Sequence, residues 1–157
     1  AFQAIGLHVL DYYLNAPPFD WLGGYARRMA RVDSMMAAEN KATAAARDSI
    51  SKPSLPLARY VATYEDAWYG TVTVTMEGGG LVMTFDKTPS LVGDLVHWQY
   101  DTWLVKWRDR ELRADAFVTF TLNEEGKVAG ATMKPASPEV DFSFDFQDLD
   151  LRPVAKQ

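Results

Sequence analysis

The hydrophobic pattern of the chain changes its period near residue 57. Before that point apolar residues recur at steps of three and four; beyond it they alternate with polar ones. Phe2, Ile5, Val9 and Leu10 mark one face of a short helix, which Asn15-Ala16-Pro17-Pro18 brings to a stop. Asp20 then supplies the N-cap of a second helix, with Trp21, Leu22, Tyr25, Met29, Val32 and Met36 at helical spacing. The later turns of that helix, through residues 37–46, hold mainly alanine and charge, so it needs a partner surface to stay folded.

In the second region the sequence predicts strands. Residues 57–64 begin one, and Trp68-Tyr69-Gly70 turn it. Alternation over residues 71–76 puts Val72, Val74 and Met76 on one face. Glu77-Gly78-Gly79-Gly80 offers the positive-φ positions of a hairpin loop, and Leu81, Met83 and Phe85 return facing inward. Residues 91–100 and 102–107 read as further strands. Residues 116–122 and 127–134 form a second hairpin around Asn123-Glu124-Glu125-Gly126. The alternation in residues 141–146 predicts a last strand with Phe142, Phe144 and Phe146 inside. About seven or eight short antiparallel strands imply a mainly β fold, a small closed barrel or sandwich, preceded by an N-terminal helical arm.

Ser51-Lys52-Pro53-Ser54-Leu55-Pro56 separates the two regions, because each proline disfavours helix in the residue before it. The expected organisation is a helical arm and linker over residues 1–56 and a β domain over residues 57–157. Charge follows the same division: residues 1–57 hold 6 basic and 5 acidic side chains, and the rest hold 10 and 16. The total of −5 argues against nonspecific nucleic-acid binding, which needs a basic face. Without cysteine the chain has no disulfide, thiolate metal site or cysteine nucleophile. No run approaches the roughly 18 apolar residues of a membrane span. The first ten residues lack the marks of a secretory signal, and the opening alanine reads as the start of a mature product or a fragment.

Short aromatic motifs carry a resemblance over most of the chain. They are Leu57-Ala58-Arg59-Tyr60 with Tyr64, Tyr69-Gly70, Gly80-Leu81, Leu95-Val96-His97-Trp98 with Tyr100-Asp101-Thr102-Trp103, and residues 120–128. The β region thereby resembles the C-terminal lipocalin-like accessory domain, itself a domain of unknown function, of serine β-lactamase-like and penicillin-binding-protein-related hydrolases. Ile5, Val9-Leu10-Asp11 and Asp20-Trp21 are similar to the closing helix of the hydrolase domain and the helix after it. Trp103 stands where that family often carries phenylalanine, and the sequence does not include the hydrolase domain. The resemblance implies a noncatalytic module that covers or supports a catalytic domain or builds an oligomer interface, in a periplasmic or secreted setting. Its expected partners are the catalytic domain of the parent hydrolase and, through the helical arm, a second copy.

Hydrolases of that kind use Ser-x-x-Lys, Tyr-x-Asn and a Lys-Thr-Gly-like strand. The chain carries look-alikes in Ser49-Ile50-Ser51-Lys52, Tyr13-Leu14-Asn15 and Lys87-Thr88-Pro89. Pro53 directly after Lys52 disfavours the helix that would bring the lysine beside the serine hydroxyl. The motif order is reversed, and Lys87-Thr88 lacks the glycine. These are chance matches, so no catalytic residue is expected and the chain reads as no enzyme in itself.

The remaining chemistry is sparse. His8 and His97 lie on different modules, which opposes a histidine metal site, and no cofactor is expected. Asp145, Asp148 and Asp150 lack the loop pattern of a calcium site and read as a solvated face. The basic residues of 106–113 are interleaved with Asp109 and Glu111, which reads as a charged turn. Trp98, Tyr100, Trp103 and Trp107 crowd ten residues, and strand parity places Trp98 with Tyr100 and Trp103 with Trp107. They read as core and rim; the sharper expectation is a ligand or domain-docking surface at His97, Trp98, Tyr100 and Trp103. The competing function is a lipocalin-like barrel that binds a small apolar ligand, although the bulk of the inward methionines and phenylalanines favours a filled interior.

Overall fold

A computed structural model describes residues 2–154 and divides the chain into two units, Ala1–Ala46 and Arg47–Gln157. The first holds α1 (Phe2–Tyr13) and α2 (Trp21–Ala45). Asn15, at φ 49°, and the prolines that follow end α1. Asp20 caps α2 as expected, its carboxylate accepting the Gly23 amide at 2.8 Å. The Trp21 indole N–H donates to Asp11 at 2.5 Å and ties the start of α2 to α1. Ala4 is buried in α1, whereas none of the residues of α2 is buried.

The second unit is a closed antiparallel barrel of eight strands. These are β1 (Ala62–Asp66), β2 (Gly70–Glu77), β3 (Gly80–Phe85), β4 (Val92–Gln99), β5 (Thr102–Trp107), β6 (Ala116–Leu122), β7 (Val128–Pro135) and β8 (Asp150–Pro153). Each strand pairs with the next, and β8 closes the ring on β1 through Tyr64↔Pro153 and Glu65↔Arg152. Closure leaves no exposed sheet edge to recruit another strand. Gly78 and Gly79, at φ 59° and 84°, make the β2–β3 turn, and Gly126 at φ 69° makes the β6–β7 turn.

Alternation aims one side chain in two at the barrel axis. Val72, Val74, Leu81, Met83, Val105, Val118 and Leu151 form the aliphatic part of this core. Tyr60, Tyr64, Trp107 and Phe146 are its largest fully buried side chains, each no more than 1% exposed. Trp103 and Trp107 share the inner face, as their parity predicts.

The structure corrects two of the expected elements and one side-chain placement. Residues 141–146 are not a strand: Phe142–Phe144 and Phe146–Asp148 are 3-10 turns, with Asp145 left-handed at φ 46° between them. Asp141 starts the first turn by accepting the Ser143 amide at 2.9 Å. The alternating phenylalanines serve ring stacking instead, Phe144 on Phe146 at 5.4 Å and Phe146 on Trp107 at 5.9 Å. The inward placement expected of Phe142 lies outside the described side chains.

Residues 57–64 likewise open with a 3-10 turn (Leu57–Arg59), and the strand begins only at Ala62. Met76, expected inside, is 47% exposed, because it stands at the barrel rim beside the Gly78–Gly79 turn.

Candidate functional site

The β4–β5 hairpin presents the aromatic cluster. Its register shifts between His97 and Gln99, and Tyr100 takes the left-handed conformation at φ 47° in the loop that Gln99 and Thr102 flank. The bulge and the turn break strand alternation, so parity does not carry from Trp98 to Tyr100. The four candidate residues therefore occupy three environments.

His97 and Trp103 pair across the strands, their rings edge-to-face at 5.1 Å. The Nε2–H of His97 donates to the Tyr100 carbonyl at 2.9 Å, which fixes the ring over the loop. Trp103 is buried and meets the Tyr60 ring edge-on at 5.7 Å. Its indole N–H is a buried donor with no hydrogen-bond acceptor among the described residues. Trp98 instead lies against Phe117 at 5.0 Å, with the Arg47 guanidinium 4.9 Å over its ring. Tyr100 is 57% exposed.

Residues 47–55 are bound to this hairpin as a strap. Arg47 donates to the carbonyls of Trp98 at 2.5 Å and His97 at 3.3 Å. The Asp48 amide donates to the Gln99 side chain at 2.9 Å, and Asp48 accepts the Tyr100 hydroxyl at 2.8 Å. The Tyr100 amide donates to the Ser51 hydroxyl at 3.1 Å. Ser54 gives its amide and its hydroxyl to Asp101, at 2.9 and 2.7 Å. The Tyr60 hydroxyl also donates to Asp101 and accepts the Leu55 amide at 3.2 Å.

These contacts set the ionisation of the site. Burial raises the Asp101 pKa, but the donors Tyr60 and Ser54 outweigh it and hold the carboxyl below the usual carboxylate range. Burial, then the bond to Asp101, pushes the Tyr60 phenol up. The bond to Asp48 and the charge behind it raise Tyr100. Phenols held neutral this way are donors that tie loops, not acids or bases near neutrality.

The look-alike catalytic segments have no matching geometry. Ser49-Ile50-Ser51-Lys52 is turn and irregular backbone, not helix. The proton of Ser51 goes to the Asp48 carbonyl at 2.7 Å. Tyr13-Leu14-Asn15 ends α1 in the helical unit, whereas Lys87-Thr88-Pro89 is a loop of the barrel. His8 belongs to α1 and His97 to β4. Among the described residues, no three His, Asp or Glu side chains stand close enough to hold a metal ion.

Sequence reasoning found the aromatic hairpin and missed what holds it. Arg47 and Asp48 belong to no motif, Ser51 and Ser54 figured only in the linker and the chance Ser-x-x-Lys match, and Asp101 only in the Tyr100-Asp101-Thr102-Trp103 motif. The signal available was compositional: three serines and Asp48 within nine residues, types that hydrogen-bond backbone groups in turns, with Pro53 and Pro56 at the end of the stretch.

No curated protein matches the sequence. Among solved structures, the C-terminal domain of penicillin binding protein Rv0907 aligns at 22% identity and a TM-score of 0.48, over 68% of this chain and 93% of that one. The family model described as Domain of unknown function (DUF3471) matches residues 46–153, from the start of the strap to the last strand. The chain belongs to the DUF3471 family.

Proposed function

We propose that this chain is a noncatalytic accessory module of a serine β-lactamase-like hydrolase, set beside the catalytic domain in a periplasmic or secreted protein. Residues 1–56 would join the two, and the rim at Trp98 and Tyr100, next to the half-buried His97 and the buried Trp103, would be the docking surface. The observation that carries this reading is the filled barrel: Tyr60, Tyr64, Trp107 and Phe146 occupy the space that a carried ligand would need. Its polar groups support the same reading, because the hydroxyls of Ser51 and Tyr100 are tied to Asp48 and, among the described residues of the strap and hairpin, none is paired with a base such as His97. The sequence resemblance over residues 57–128 supplies the hydrolase context. The filled interior weighs against the lipocalin-like carrier.

Two measurements test the proposal. The isolated chain is expected to hydrolyse nitrocefin and p-nitrophenyl esters no faster than buffer; turnover that Ser49→Ala or Ser51→Ala removes would overturn the noncatalytic reading. In the parent polypeptide, Trp98→Ala and Tyr100→Ala are expected to lower the Tm or shift the kcat/KM of the hydrolase domain. A hydrolase indifferent to both would contradict the docking surface.

A further inference from the structure

The helical unit leaves an ordered apolar seam without a partner. Along α2, Leu22, Tyr25, Met29, Val32 and Met36 follow one another at steps of three, four, three and four. That is the a/d repeat of a coiled coil, not the broader stripe of a helix on a globular core. Leu22 is 62% exposed and Met29 52%, and Phe2 of α1, 89% exposed, flanks the groove that they line. Tyr25, Val32 and Met36 are half-buried and none of the 25 residues of α2 is fully buried, so the seam gains only part of the stability that a packed face would give it.

We infer that this seam is filled by α2 of a second copy of the chain, as a parallel, in-register helix pair. Charge selects both the occupant and the direction. With Leu22 at position a, Arg28 falls at g and Asp33 at e, five residues further on. A parallel pair brings each g residue against the following e residue of the other helix, so Arg28 meets Asp33 of the second copy, twice by symmetry. An antiparallel pair sets e against e and g against g, and so loses both attractions. Both side chains are exposed, and among the described residues neither joins an ion pair within the chain. The seam ends at Glu39, which occupies the next d position. Two and a half heptads make a weak, concentration-dependent dimer and not an obligate one. The hydrolase domain of the proposed function is the rival occupant of this seam, and the oligomeric state of the chain tells the two apart.

Light scattering and sedimentation of the full chain test it over concentrations of roughly 1–500 µM. The mass is expected to rise from one chain towards two. Arg28→Glu should weaken association about ten-fold, and adding Asp33→Arg should restore it.

The chain has no cysteine, so single substitutions report direction. Leu22→Cys and Met36→Cys are each expected to form disulfide-linked homodimers on mild oxidation. In an antiparallel pair like residues would stand about 21 Å apart. A chain that stays monomeric throughout would overturn the inference. So would preferential cross-linking of Leu22→Cys to Met36→Cys in a mixture of the two.

Discussion

Gly93 on β4 faces Trp107 on β5, and a methyl group added at Gly93 would come within 2.7 Å of the Trp107 ring and 2.6 Å of Val105. The indole takes the space that the glycine leaves and donates its N–H to the Ala114 carbonyl at 2.7 Å. Above it lies Phe146, stacked at 5.9 Å. The widest ring of the core is thus positioned by the smallest residue of the facing strand.

Gly93→Ala is therefore expected to destabilise the barrel by about 1–3 kcal/mol through overpacking, although its backbone stays in an ordinary strand conformation. Thermal or urea unfolding of the barrel measures it. A Tm unchanged from the parent would show that the ring is not fixed where β4 and β5 hold it.

Asp101 organises the strap, since Tyr60 and both donors of Ser54 converge on it. Asp101→Ala and Tyr60→Phe should each lower stability, and a double-mutant cycle should give a coupling of about 1–2 kcal/mol. Hydrogen exchange should quicken at the Ser54 and Leu55 amides in Asp101→Ala. Additive losses would show that the two side chains act separately.

Asp66 is the one charged residue buried in the barrel wall among the described residues. Its carboxylate accepts the amides of Trp68 at 2.8 Å, Tyr69 at 2.9 Å and, across the β1–β8 seam, Asp150 at 2.9 Å. Asp66→Ala strands these donors where the barrel closes and should cost about 2–4 kcal/mol. Loss of protection at the Asp150 amide would accompany it in hydrogen exchange.

Stability should fall towards both acid and alkali. For Asp66 and Asp101, burial raises the pKa but backbone and side-chain donors lower it further, so the folded value lies below the unfolded one. The unfolded chain then takes up protons first, and this stabilisation, full above pH about 4, disappears as pH falls through the folded values. Tyr64 titrates in the opposite sense, because burial pushes it up to about 12. Its contribution is full below pH about 10, where the unfolded phenol titrates, and is lost as pH rises through 12. Urea midpoints across pH measure both limbs, and Asp66→Asn should flatten the acid one.

Patterning alone makes the β2–β3 and β6–β7 hairpins legible, because alternation and turn glycines agree there. It misleads at residues 141–146, where a period of two arises from stacked rings on consecutive 3-10 turns. A left-handed Asp145 is invisible to hydrophobic spacing. Within the aromatic cluster, parity places Trp103 and Trp107 correctly on the inner face, but it fails for Trp98 and Tyr100, which the bulge separates. The polar contacts of the hairpin were not legible, because the bonds from Arg47, Asp48, Ser51 and Ser54 join residues 47 to 52 positions apart, and no local pattern encodes such pairings.

Ligand titration tests most directly whether the buried rings of Tyr60, Tyr64, Trp107 and Phe146 leave the barrel no room for a ligand. Tryptophan emission of the chain is followed while fatty acids of graded length and an apolar dye are added. Emission that stays flat, with no saturable heat in matched calorimetry, is the predicted result. Saturable one-to-one binding that substitution of Tyr64 or Phe146 alters would contradict it, because a ligand would then occupy the space assigned to those rings.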